Sequence, residues 1–187
     1  DVCHTIQRVD LTKKDGTGFV SHPEENVRYG PLCDSRPHYF HRMGCSELIA
    51  ESAFCAACHN WQLSHPAGAT LSLLPDYEEW LAAPQPMGGV DCQNCHMPSR
   101  SGEAAVGSTE RVVHGHDFSL RGPLLGRALE GKAQLSVGQG LLRVRLSLSN
   151  TGAGHSVPTG FPERHLYVGV RVLDNTGRVV AESAHSY

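Results

Sequence analysis

Two pentapeptides constrain this chain more than anything else in it: Cys55-Ala56-Ala57-Cys58-His59 and Cys92-Gln93-Asn94-Cys95-His96. Each is a C-x-x-C-H run. Its two thiols can both bond to the edge of one flat macrocycle, and the adjoining histidine can lie beneath the macrocycle's metal. That is the attachment pattern of haem c. Cys55, Cys58, Cys92 and Cys95 read as thioether-forming residues, and His59 and His96 as proximal iron ligands. The main rival is a zinc site built from the two C-x-x-C pairs. It leaves both histidines unexplained, and the pairs stand further apart than the usual zinc spacing. A thioredoxin-like redox pair fits less well, since no βαβ pattern surrounds either run.

Asp1-Val2-Cys3-His4 reads as the back half of a third run, complete if a cysteine stood ahead of Asp1. On that reading Cys3 is a further thioether residue, His4 a further proximal ligand, and the chain begins inside a longer protein. The competing reading is a mature N-terminus with Cys3 in a disulfide. No signal peptide or membrane-spanning run stands in the sequence.

A chain of 187 residues allows one or two domains. The net charge is −3 and the basic residues are scattered, so nucleic acid and anionic membrane surfaces are poor partners. Aromatic residues make up 6% of the chain, and its first two thirds is short of periodic apolar segments. A side-chain core there would be thin, and large flat macrocycles would supply the missing apolar filling. Of seven cysteines, Cys33 and Cys45 belong to no run. They form either a disulfide in an oxidising compartment or two free thiols.

Along the chain, residues 5–40 read as loop, punctuated by Gly16, Gly18, Pro23, Gly30, Pro31 and Pro37. The apolar spacing predicts a helix from about Ser46 to Trp61, carrying the first complete run near its end. A short helix is expected over Pro75–Leu81, with Asp76 and Glu79 at capping-box spacing. Pro84 and Pro86 stop it. A polar loop is expected from Met97 to about Thr109, and an ordered patch over Val112–Phe118. Beyond about Gly131 the period becomes two: Leu142, Val144, Leu146 and Leu148, then Leu166, Val168, Val170 and Val172. Asp174-Asn175-Thr176-Gly177 is a turn into Val179-Val180-Ala181. The expected class is α+β: a haem-packed, loop-rich part with short helices over residues 1–128, then an antiparallel β-sandwich-like part over 129–187. The latter has too few strands to close a sandwich, so it is expected to be incomplete.

An iron with one histidine below it needs a ligand above. His155 stands in Gly154-His155-Ser156-Val157-Pro158-Thr159-Gly160, a rigid loop between strands that can present a fixed imidazole. His116, beside His114 and Phe118, is a second distal ligand candidate, with His114 the fallback. His41, just ahead of the helix carrying His59, is the third, with His38 its competitor. Methionine is the alternative sixth ligand, but Met43, Met87 and Met97 are few and Met97 is too near His96 to reach the same iron.

These residues resemble the multihaem c-type cytochromes of bacterial and archaeal respiration. The likeness rests on Arg28-Tyr29-Gly30-Pro31-Leu32 with Phe40-His41, on Ser52-Ala53-Phe54-Cys55, on Gly89-Val90-Asp91-Cys92 through Met97-Pro98, and on Asn150-Thr151-Gly152-Ala153-Gly154-His155 through Pro158-Thr159-Gly160. It covers most of the chain. It departs in the half run at the start and in the extra Cys33 and Cys45. The resemblance implies a row of bis-histidine haems followed by a β-sandwich-like domain, with His41, His116 and His155 as distal ligands. The implied function is electron transfer in the periplasm or outside the cell. Its partners would be redox proteins or other haem-bearing segments of the same protein. Two alternatives stay open: part of a multihaem oxidoreductase acting on a nitrogen or sulfur oxyanion, and a subunit of a self-assembling cytochrome filament.

Overall fold

The computed structural model describes residues 2–36, 39–84, 89–118 and 123–187. Within them the order is β1 (Ile6–Val9), β2 (Phe19–Ser21), β3 (Val27–Gly30), β4 (Arg42–Cys45), α1 (Ser52–His59), β5 (Trp61–Ser64), β6 (Thr70–Leu74), α2 (Asp76–Ala82), α3 (Cys92–His96), β7 (Ser99–Glu103), β8 (Glu110–His114), α4 (Pro123–Ala128), β9 (Leu129–Gly138), β10 (Leu141–Asn150), β11 (Tyr167–Leu173) and β12 (Val179–Ser186). The class is α+β. Every sheet among the described residues is two-stranded; five are antiparallel, and β3 pairs with β4 in parallel.

Residues 5–40 are less of a loop than their glycines and prolines suggest. They hold β1, β2 and β3, strands of three or four residues, too short to display a period of two. The disulfide alternative holds for Cys33 and Cys45, which are bonded with Cα atoms 4.7 Å apart. The polar stretch after Met97 is also a hairpin, β7 against β8, closed by the Ser101 hydroxyl donating to Glu110 at 2.7 Å. Strands of Ser, Arg, Gly and Glu carry no apolar alternation to read.

The helix expected from Ser46 starts late. Glu47–Ala50 forms a 3₁₀ turn, Glu51 is extended at φ −100° and ψ 149°, and α1 begins at Ser52. A distant segment sets this break. Ser52 donates its N–H and hydroxyl to Asp91, while the Gln93 amide donates to the carbonyls of Ile49 and Glu51. The helix over Asp76–Ala82 forms as expected, but the capping box does not. Pro75 is the cap residue, and no side chain closes it. Both carboxylates of the expected box are engaged elsewhere, as described below.

β9 and β10 run in register for ten pairs and meet at Gln139-Gly140, whose φ values of 52° and 74° are those of a two-residue hairpin turn. β11 and β12 form a second hairpin across the expected turn, where Asp174 accepts from the N–H groups of Thr176 and Arg178 and from the Thr176 hydroxyl. The alternating residues Leu142, Val144, Leu146 and Leu148 of β10 line one cleft with Val168 and Val170 of β11.

Very little of this chain is packed against itself. Its accessible surface is 13314 Å², where a folded chain of its 20.2 kDa exposes about 8800 Å². Among the described residues the fully buried apolar side chains are Ile6, Ala56 and Ala57. Two of those three lie between Cys55 and Cys58. The helices and ribbons are thus arranged around the two runs without a side-chain core to hold them there. No described helix is long and apolar enough to cross a membrane.

Candidate functional site

α1 and α3 carry the complete runs, and they meet at their first turns. Asp91 stands just ahead of Cys92, and its carboxylate takes both donors of Ser52 at 2.9 and 2.7 Å; the Cys92 N–H donates back to the Ser52 hydroxyl oxygen at 3.0 Å. Ser52 is 2% exposed, so this knot is sheltered from water. It brings the Cys55 and Cys92 thiols, one from each run, into hydrogen-bond contact. As bare thiols they share that bond unequally: it pushes Cys55 up, with burial adding to the rise, and holds Cys92 down. Burial raises Cys58 as well, with the nearby charge of Cys3 adding to it. Four of the five cysteines expected to carry thioethers therefore lie in one neighbourhood. Among the described residues no three His, Cys, Asp or Glu side chains gather as a bare metal ion requires.

Two pairs of histidine rings come together. The rings of His4 and His116 have centres 5.9 Å apart, and those of His96 and His155 stand 6.0 Å apart, 24° from parallel. Each pair joins the histidine of a run to a histidine far along the chain. An imidazole centre lies about 1 Å from its nitrogens, given ring bonds of about 1.33 Å. A first-row metal–imidazole bond is about 2 Å. Two imidazoles on opposite faces of one metal thus have centres about 6 Å apart, and both pairs have that spacing.

The outer partners of these rings also suit a metal. His4 donates Nδ1–H to the Tyr29 carbonyl at 2.6 Å, and His155 donates Nδ1–H to the Ser156 carbonyl at 2.9 Å. His59 donates Nδ1–H to the Asp76 carboxylate at 3.3 Å. A proton held on Nδ1 leaves the Nε2 lone pair for a metal. His96 is held below the ordinary imidazole range by burial first, then by the charges of His155 and His59, which favours the neutral, ligating form. His59 moves the other way: its bond to Asp76 raises it, against the opposing effect of burial. Burial would push Asp76 up, but its bond from His59 and the charges of His59 and His155, with the polar Thr159 close by, hold it below the usual carboxylate range.

His155 reaches His96 because its loop is tied at both ends and in the middle. The N–H groups of Thr151 and Gly152 donate to the Ala128 carbonyl. A Cβ on Gly152 would collide with the Arg127 carbonyl oxygen, so only glycine lets the loop pass here. Asn150 spans the turn, donating to the His155 carbonyl at 2.7 Å and accepting from the Ala153 N–H at 3.0 Å. Phe161 sets its ring edge-on to Trp61 with centres 6.5 Å apart. The expected division at residue 128 therefore falls between two parts that share a site.

Of the other expected ligands, His114 lies in β8 and donates Nδ1–H to the Met97 carbonyl at 2.7 Å, while His116, two residues on, faces His4. His41 sits half-buried immediately ahead of β4. His38 lies outside the described residues. Cys95 is half-buried on α3. Sequence reasoning did not single out Asp76, Glu79, Asp91 or Ser52. The spacing of Asp76 and Glu79 suggested a helix cap, and Ser52 and Asp91 entered only as parts of the stretches that carry the family resemblance.

Comparison with protein-family models, with curated proteins and with solved structures gives no match.

Proposed function

We propose that this chain is a multihaem c-type cytochrome that transfers electrons outside the cytoplasm. The observation that carries this reading is the pair of facing imidazoles at His96 and His155, repeated at His4 and His116. Both pairs combine a histidine adjoining a run cysteine with a partner at the spacing of two axial ligands on one metal. A haem bound there supplies a one-electron couple. His96 with His155, and His4 with His116, would hold the iron of a bound haem between two imidazoles, which suits electron transfer better than binding a substrate at the metal. Cys55 and Cys92 are in contact, so groups bonded to them are held side by side, an arrangement suited to passing electrons. The deficit of buried apolar side chains fits a protein whose packing centres are macrocycles.

The facing apolar residues of β10 and β11 support reading the two hairpins as parts of a β-sandwich, since a lone ribbon is at best marginally stable in water. The Cys33–Cys45 bond is compatible with an oxidising compartment such as the periplasm or the cell exterior.

The test is expression in a periplasm equipped to mature c-type cytochromes, followed by intact mass, a pyridine haemochrome spectrum and electron paramagnetic resonance. The expected result is covalent haem at each complete run with low-spin iron. Colourless protein, zinc at the sulfurs, or high-spin iron that binds cyanide readily in the native state would overturn it.

A further inference from the structure

The carboxylates of α2 do three different jobs, and one of them bears on the far side of the His96 site. Asp76 takes the Nδ1–H of His59. Glu78 accepts from Lys14 at 2.5 Å and from the Asn60 amide at 3.1 Å, fastening the first loop of the chain. Glu79 points to neither. Its Oε2 accepts the backbone N–H of Ser156 at 2.9 Å and the Thr159 hydroxyl at 2.8 Å. Those donors belong to the loop that carries His155, one and four residues after it, and they lie 77 and 80 positions along the chain from Glu79.

We propose that Glu79 is the positioning residue that holds His155 over the metal site at His96. This rests on the reading of His155 and His96 as axial partners. The physical argument is one of restraint. The loop from Thr151 to Arg164 contributes no fully buried apolar side chain among the described residues, so packing alone does not fix it. Ala128 anchors its entry side, the Asn150 amide reaches across to the His155 carbonyl, and beyond His155 the Phe161 ring meets Trp61. On the exit side, a charged acceptor gathering two donors on one oxygen is the strong restraint, because hydrogen bonds to a carboxylate are roughly twice as strong as neutral ones. One of these donors, the Ser156 N–H, adjoins His155 directly. Releasing it lets the imidazole swing out of reach of the iron while leaving the thioether runs untouched.

The test compares Glu79→Ala, Glu79→Gln and His155→Ala in the haem-loaded protein, reading spin state and carbon monoxide binding by the reduced form. His155→Ala should convert one iron per chain to a high-spin species that binds carbon monoxide. Glu79→Ala should do so at the same iron, with roughly a tenfold or greater loss in the share that keeps His155 bound. Glu79→Gln should stay near the wild type, because the amide oxygen still accepts both donors. Haem content should be unchanged throughout. A high-spin signal in His155→Ala with none in Glu79→Ala overturns the positioning role and leaves the cytochrome reading intact. No signal in either variant overturns the axial pairing and the positioning role with it. Glu79→Gln failing as fully as Glu79→Ala marks general damage and overturns the proposal. Should Glu79→Ala not accumulate, Thr159→Val decides: a smaller rise of the same signal supports the proposal, and none overturns it.

Discussion

Ser52 and Asp91 lie 39 positions apart in the chain, yet one carboxylate oxygen of Asp91 receives both the N–H and the hydroxyl of Ser52. The contact locks the first turns of α1 and α3 together. It thereby sets the spacing between the sulfurs of Cys55 and Cys92.

Removing the hydroxyl should be costly because both partners are sheltered. Ser52→Ala takes away one donor to Asp91 and the acceptor for the Cys92 N–H, leaving a half-buried N–H unmatched. We expect a loss of about 1–3 kcal/mol in stability. Denaturant unfolding of the haem-loaded protein, followed by circular dichroism, checks this; a change within experimental scatter would refute it.

The bond from His59 to Asp76 should tune a redox potential. A carboxylate acceptor on Nδ1 makes the imidazole a stronger electron donor to its metal and so favours the oxidised state. Asp76→Asn keeps the shape and removes the charge. One haem potential should rise by some tens of millivolts, on a scale where about 59 mV is tenfold for one electron. Spectroelectrochemical titration reads it, and a fall or no change would count against the assignment.

His114 and His116 are separated by one residue but face different partners. His116→Ala should open a coordination site at the metal held by His4, detected as cyanide binding. His114→Ala should not, since its described bond is to the Met97 carbonyl. The reverse pattern would move the axial role to His114.

Asp34 meets Arg111 through two bonds of 2.8 and 2.9 Å, tying the turn after β3 to the hairpin that leads to His116. Those bonds first hold Asp34 below its ordinary value against the opposing effect of desolvation, with the guanidinium charge adding to the lowering. A carboxyl depressed in the folded state binds fewer protons folded than unfolded. Its stabilising effect is complete above the unfolded value of about 3.9 and is lost as pH falls through the lower folded value. Asp34→Asn should flatten that part of the acid limb of the stability curve. Thermal unfolding across the carboxylate range measures it, and an unchanged limb would argue against the tie.

The residues proposed to hold haem could be picked out in the sequence because a C-x-x-C-H run is contiguous and is visible without a fold. The strands over 142–148 and 166–172 were legible for a similar reason, since side-chain alternation is a backbone property of a few neighbouring residues. The half run at Cys3-His4 pointed to an imidazole that the structure sets opposite His116. The strands β1 to β3 escaped notice because three or four residues carry no period, and β7 because its residues are polar.

What only the tertiary structure decided is which distant residues meet. Nothing near Asp76 or Glu79 in sequence distinguishes a helix cap from a ligand to His59 or a tie to the His155 loop. Their roles depend on where chain 77 positions away is brought back. Hydrogen bonds and axial pairings act over a few ångströms of space, whereas sequence records only order along the backbone. The residues that can bond to a macrocycle are thus written in the chain itself, and the partners that orient them exist only once it has folded.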